Sequence, residues 1–201
     1  SNIRPSYDVD FGYKELIEDT IKAIFQLEKS FPQSRKVIVG HSLGGQVGSL
    51  LMSQHPLLVE QLFLVAACSV YHEGFGNQSR KIRWAGKLFP TVSTFFGYFP
   101  GKAIGFGGRE ARGVMADWSA NALTGQYQLA GSSFDYEKAM SLCTNPVSAI
   151  SLEGDQMAPE EAVNNLIEKF ESSSKAIHQV ATPEDFGTNQ LTHFNWVKTP
   201  K

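Results

Sequence analysis

Cysteine is nearly absent: the 201 residues hold two, Cys68 and Cys143, and neither has the spacing of a metal site or a disulfide framework. Two isolated thiols suit a reducing compartment, so a cytoplasmic protein without a metal is expected. No apolar run approaches the ~20 residues of a bilayer-spanning helix, and no charged-then-apolar leader opens the sequence; no membrane partner is expected. Neither sign of charge dominates, since 18 Lys and Arg face 20 Asp and Glu for a net charge of −2. The cations are scattered and form no basic stripe alternating with aromatics, which argues against nucleic acid. Glycines do cluster at 105–108, but no strand precedes them and no Lys-Ser/Thr follows, so they do not read as a phosphate cradle. Repeats and low-complexity tracts are missing, and no cofactor is expected.

The most informative residues are Gly40-His41-Ser42-Leu43-Gly44-Gly45, directly behind the apolar run Val37-Ile38-Val39. A β-branched strand running into a sharp turn and then a helix lifts one hydroxyl, that of Ser42, clear of the backbone. The residues two before and two after such a serine approach closely and must be small, a need that Gly40 and Gly44 meet. Gly45 continues the small run into the helix start, where the Leu43 amide is the expected oxyanion donor. Residues 46–55 read as a mostly apolar helix and 61–67 as a second buried strand, so the whole is a parallel crossover unit.

A nucleophilic serine needs a base, and the base needs an orienting acid. When the order is serine, acid, histidine, both partners lie downstream at strand ends. The strand candidate at 146–152 ends in Glu153-Gly154-Asp155, with Pro159 opening a helix over 160–170. Asp155 is the expected acid; Glu153, still on the strand side of the Gly154 turn, is its rival. A further strand at 176–180 leads into a polar loop and Thr192-His193-Phe194, which makes His193 the expected base. His178 falls inside that strand, where a structural histidine is the usual reading, and His41 adjoins the nucleophile, so its ring is expected to turn away from Ser42. His72 competes for the base role from the start of a long insertion.

These residues resemble the α/β-hydrolase superfamily: the elbow at 40–45, Gly154-Asp155-Gln156-Met157-Ala158-Pro159 at the acid, and His193-Phe194 at the base. The resemblance covers the whole chain except residues 71–142. More narrowly, residues 105–118 are similar to a segment in a group of bacterial hydrolases of unassigned substrate. The resemblance implies an α/β fold with a mostly parallel sheet, one domain over 1–201 with its core in 1–70 and 143–201. It also implies acyl transfer through Ser42, His193 and Asp155 on a small acyl substrate.

The chain departs from that pattern ahead of the elbow, where several strands and the loop bearing a second oxyanion amide are expected. Residues 1–11 are polar and turn-like, and Tyr13–Ser30 is an amphipathic helix with Leu16, Ile17, Ile21, Ala23, Ile24 and Leu27 on one broad face, closed by Pro32. An N-terminally incomplete sheet is therefore expected, as in a fragment or an incomplete gene product. Its elbow strand would form an open edge that invites a second copy, and its activity would be weak.

Residues 71–142 break the alternation of strand and helix and hold thirteen of the 23 aromatics. They are expected to form a helical lid with helices at 80–88 and 112–123. Phe89, Phe95, Phe96, Tyr98, Phe99 and Phe106 are the candidates to line an apolar cleft for an acyl or alkyl ester. Two other readings stay open: a catalytically inactive binding or assembly module, and thioesterase, lyase or acyltransferase chemistry on the same triad.

Overall fold

The computed structural model describes residues 4–174 and 176–198. A coil leads into helix α1, Tyr13–Ser30, whose bounds match the amphipathic stretch. Ile17 is buried while Leu16, Ile21 and Ile24 pack against the core edge; Leu27, expected on the same face, is 60% exposed. Strand β1, Val37–His41, passes through Ser42 into α2, Leu43–Gln54, and returns as β2, Gln61–Val65. The insertion then contributes α3, Ser79–Phe96, α4, Arg112–Thr124, and α5, Tyr136–Leu142. Strand β3, Val147–Leu152, helix α6, Glu160–Ile167, and strand β4, Ala176–Ala181, follow.

The four strands are all parallel and lie side by side in chain order, β1-β2-β3-β4. Parallel neighbours require crossovers, and α2, the insertion and α6 supply them. Alternation along β2 and β3 decides the faces: Leu62, Leu64, Val147 and Ala149 are buried, as are Leu50, Leu51 and Met52 of α2, in one core. Gly48 lets α2 settle on the sheet, because a Cβ there would stand 3.1 Å from both Ile38 and Leu62 side chains. Among the described residues no strand precedes β1, which pairs only with β2. Val37 and Val39 on this edge strand are 43% and 67% exposed, as the open edge expected from the sequence requires.

The insertion is more helical than its sequence suggested. The helix expected at 80–88 runs on as α3 through Pro90 to Phe96. Proline forfeits one backbone bond there, and packing of α3 against α4 keeps the helix continuous: Gly86 sits where a Cβ would meet Leu123 and Ala122. The N-terminal coil is bonded to the start of α4, with the Val114 amide donating to the Phe11 carbonyl at 2.9 Å and the Gly113 amide to Asp10 Oδ1 at 3.0 Å. No helix among the described residues is long and apolar enough to cross a membrane.

Asp117 is the joint of this arrangement. It is 4% exposed, and its two carboxylate oxygens accept from the Tyr13 amide at 2.8 Å and the Ala130 amide at 2.9 Å. One side chain thus ties α1, α4 and the 130 loop, and its loss takes the acceptor from the buried Tyr13 amide and from the part-buried Ala130 amide. Asp117→Ala is expected to cost about 3 kcal/mol, which at this chain length lowers Tm by roughly 6–12 °C. Burial raises the Asp117 carboxyl above its ordinary pKa, so the native state holds that proton more tightly than the unfolded chain. The contribution is full below the unfolded carboxyl pKa and declines as pH rises through the folded one. The thermal-unfolding gap between wild type and Asp117→Ala should therefore narrow with rising pH; a gap that widens would contradict this assignment.

Candidate active site

The site begins in backbone geometry. Ser42 has φ 53° and ψ −124°, a region that a residue with a side chain rarely occupies, and it sits between the end of β1 and the start of α2. The turn that imposes this conformation needs bare backbone on either side, and Gly40 and Gly45 provide it. A Cβ on Gly40 would lie 2.5 Å from the Gly45 Cα, and one on Gly45 would lie 2.3 Å from the Ala67 Cβ. Gly44, which the spacing singled out as the partner of Gly40, has open space where its Cβ would be. The close pair is Gly40 and Gly45 because the chain has already begun to coil as α2 by residue 44, and the helix presents its next residue to the strand.

Three polar side chains from three strand ends meet at this turn. The Ser42 hydroxyl donates to His193 Nε2 at 2.8 Å, and His193 Nδ1–H donates to Asp155 Oδ2 at 2.7 Å. Asp155 follows β3 and His193 follows β4, so the parallel sheet brings together residues 113 and 38 positions apart because its strands all end on one side. Asp155 is held by its other oxygen, Oδ1, which accepts from the Met157 amide at 2.9 Å and the Ala158 amide at 3.3 Å. Asp155 and His193 are buried, 5% and 4% exposed. Leu43 is the first residue of α2, and its amide is one of the helix-start donors that no carbonyl within the helix can satisfy.

The rivals are placed elsewhere. Glu153 is exposed, His178 Nε2 bonds to Ser151 Oγ at 2.9 Å, and His72 Nδ1 bonds to Ser79 Oγ at 3.1 Å. None of them reaches Ser42.

His41 departs from expectation. Its ring lies beside that of His193, with centroids 4.8 Å apart, and its Nε2–H donates to the His193 carbonyl at 2.8 Å. Phe194 and Trp196 pack around the same ring at 5.8 and 5.5 Å. The elbow residue thereby clamps the loop that carries His193. The position next to Ser42 was the available signal, but sequence does not reveal that the 193 loop folds back over it. Burial pushes the His41 pKa below the ordinary histidine value, against the opposing pull of its bond to the His193 carbonyl. His41→Ala is expected to lower kcat about tenfold with KM unchanged, and His41→Gln, which keeps an N–H donor, to recover most of it. Equal losses in both variants would remove the positioning role.

Ser42 opens onto a cleft of about 370 Å³, within the size range of small-molecule sites. Leu43, Ala66, Val70, Phe75, Ile82, Phe106, Val114, Met115, Trp118 and Met157 make its wall apolar, while Gln46, Gln78, Glu110 and Gln156 supply polar points. Among the described residues no Lys or Arg lines it. Of the aromatic candidates, Phe106 is in the wall. Phe89 and Phe99 stand behind it, 4.2 Å apart, with Phe89 5.4 Å from both Phe106 and Trp118. They shape the wall without forming it. Phe95 and Phe96 do not line the cleft: they are 74% and 50% exposed on the outside of α3, because α3 continues past Pro90 and its helical period carries them outward. Tyr98 stacks under the Arg109 guanidinium at 3.5 Å. Phe75 and Trp118 are wall residues that the sequence gave no particular reason to choose.

No protein-family model and no curated protein matches this chain. Solved structures do. Monoacylglycerol lipase of Paleococcus ferrophilus is 13% identical with a TM-score of 0.55, over 86% of this chain and 66% of that one. A Mycobacterium tuberculosis protein described as a non-heme bromoperoxidase is 14% identical with a TM-score of 0.56, over 94% and 70%. Acylaminoacyl peptidase of Pyrococcus horikoshii is 13% identical with a TM-score of 0.51, over 91% and 24%. The chain has the α/β-hydrolase fold, with four of its strands among the described residues. It spans 66% of the lipase's length and 24% of the peptidase's.

Proposed function

We propose that this protein is a serine hydrolase that cleaves a carboxylic ester or a related acyl substrate. The observation that carries this reading is the unbroken hydrogen-bond relay from Ser42 through His193 to Asp155 at the mouth of an apolar cleft. Ser42 Oγ attacks the substrate carbonyl carbon as His193 Nε2 takes its proton, and Asp155 stabilises the resulting imidazolium without accepting its proton. The Leu43 amide meets the oxyanion. Collapse of the tetrahedral intermediate expels the alcohol, protonated by His193, and a water activated by the same imidazole releases the acid and frees Ser42.

Residues 71–142 act as a lid in this reading, with Phe75, Ile82 and Phe106 covering the acyl group. The second oxyanion amide of this fold comes from a loop behind an earlier strand. Among the described residues the segment ahead of β1 is a coil and α1. Incubation with a small fluorophosphonate followed by intact-mass measurement tests the proposal: one adduct on the wild type and none on Ser42→Ala is the expected result. A folded wild type that takes no adduct would sink it.

The exposed β1 edge favours one second reading, a module that assembles with another copy through that strand. A monomer in sedimentation velocity at micromolar concentration would remove it.

A further inference from the structure

The outward face of α3 combines cations with exposed apolar side chains. The helix carries Arg80, Lys81, Arg83 and Lys87 and no carboxylate, in a chain whose net charge is −2. Among the described residues none of these four cations has an ion-pair partner. Trp84, Leu88 and Phe95 recur at helical spacing, so they form one stripe, and they are 62%, 52% and 74% exposed. Arg80, Arg83, Trp84 and Lys87 frame a shallow depression of about 290 Å³, with the Lys87 ammonium 5.4 Å from the centre of the Trp84 ring. The scattered cations of the linear sequence thus gather around an indole once α3 coils.

We propose that this face docks on the surface of an anionic phospholipid bilayer. A helix that lies in such an interface places cations at the level of the phosphates and an apolar stripe at the acyl boundary, with Trp between the two. All three are present here in that order across one face. Charge complementarity selects the partner: a second copy would bring cations against cations, and a nucleic acid would satisfy the cations but leave Leu88 and Phe95 in water. The opposite face of α3 places Ile82 in the wall of the cleft and packs Phe89 on Phe106. Docking would therefore bring the covering of the cleft against the lipid from which an apolar acyl group could enter. The inference concerns binding and holds whether or not Ser42 turns over.

Co-sedimentation of the full chain with vesicles of phosphatidylcholine alone, or mixed with phosphatidylglycerol, tests it. Binding is expected to the mixed vesicles, weakened by salt, with a blue shift of Trp84 emission. Arg80→Gln, Arg83→Gln and Lys87→Gln together should weaken it on the order of a hundredfold, at roughly fivefold per cation. Leu88→Ser with Phe95→Ser should also release the protein, whereas Trp84→Phe should bind and lose the shift. These side chains are surface groups, and an unchanged Tm separates loss of binding from loss of fold. Equal binding to both vesicle types, or no binding to either, would overturn the proposal. So would a triple-Gln variant that binds like wild type, or displacement by inorganic phosphate or an oligonucleotide as readily as by anionic vesicles.

Discussion

Ser42→Ala is expected to abolish covalent labelling and to lower ester turnover by about 10⁶-fold, and His193→Ala to do nearly the same. The two effects should not add, because each removes the same event, a proton leaving Oγ as the carbon–oxygen bond forms. The double variant should be no slower than either single one. A rescue route through another nucleophile is closed by the surroundings. Cys68 lines the same cleft, but burial raises its thiol pKa far above the ordinary cysteine range, the Asp155 charge raises it further, and its Sγ lies 3.8 Å from the Met157 carbonyl. It stays a protonated, poorly nucleophilic thiol at neutral pH. Steady-state hydrolysis of a chromogenic ester, read beside the intact mass, checks the prediction. Residual turnover by Ser42→Ala within tenfold of wild type would show that the chemistry runs elsewhere.

The parts of this site that could be read from the chain are those set by local rules. A β-branched run, a turn of small residues and a helix start have short-range causes, so Ser42 and the strand–helix unit around it were legible, as was α1 with most of its apolar stripe. Chain order and strand ends sufficed to nominate Asp155 and His193, although only the parallel sheet makes those ends converge. What escaped was long-range. Counting positions points to Gly44 as the partner of Gly40, whereas the close approach of Gly45 depends on where the strand ends and the helix begins in space. His41 was judged by its neighbour in sequence, whereas its function in the fold is set by the loop 152 residues later that lays its carbonyl over the ring.

The insertion was the least legible segment. Its aromatic richness said that rings must be buried or must line something, but not which, since a helix turns neighbouring rings through about 100° per residue. Phe95 and Phe96 were separated from Phe89 and Phe106 by the continuation of α3 through Pro90, which packing against α4 decides and local propensity opposes. The same helical period assembled the basic and aromatic face of α3, although its cations are unevenly spaced along the chain.

Asp155→Asn is expected to lower kcat about 10⁴-fold while leaving the fold nearly intact, and the reason lies in how the carboxylate is held. Its Oδ1 accepts from two backbone amides, those of Met157 and Ala158, and only Oδ2 faces His193 Nδ1. An asparagine in this position must turn its carbonyl oxygen toward the two amides, because an NH₂ group there would confront two donors. Its NH₂ then points at His193 and donates to Nδ1, which forces the proton of the neutral imidazole onto Nε2. That nitrogen then donates toward Ser42 and cannot take its proton. The variant should therefore label with fluorophosphonate far more slowly than wild type at a similar Tm, and Glu153→Gln, on the exposed rival, should label at the wild-type rate. If Asp155→Asn labelled as fast as wild type, the orienting acid would have to be sought elsewhere.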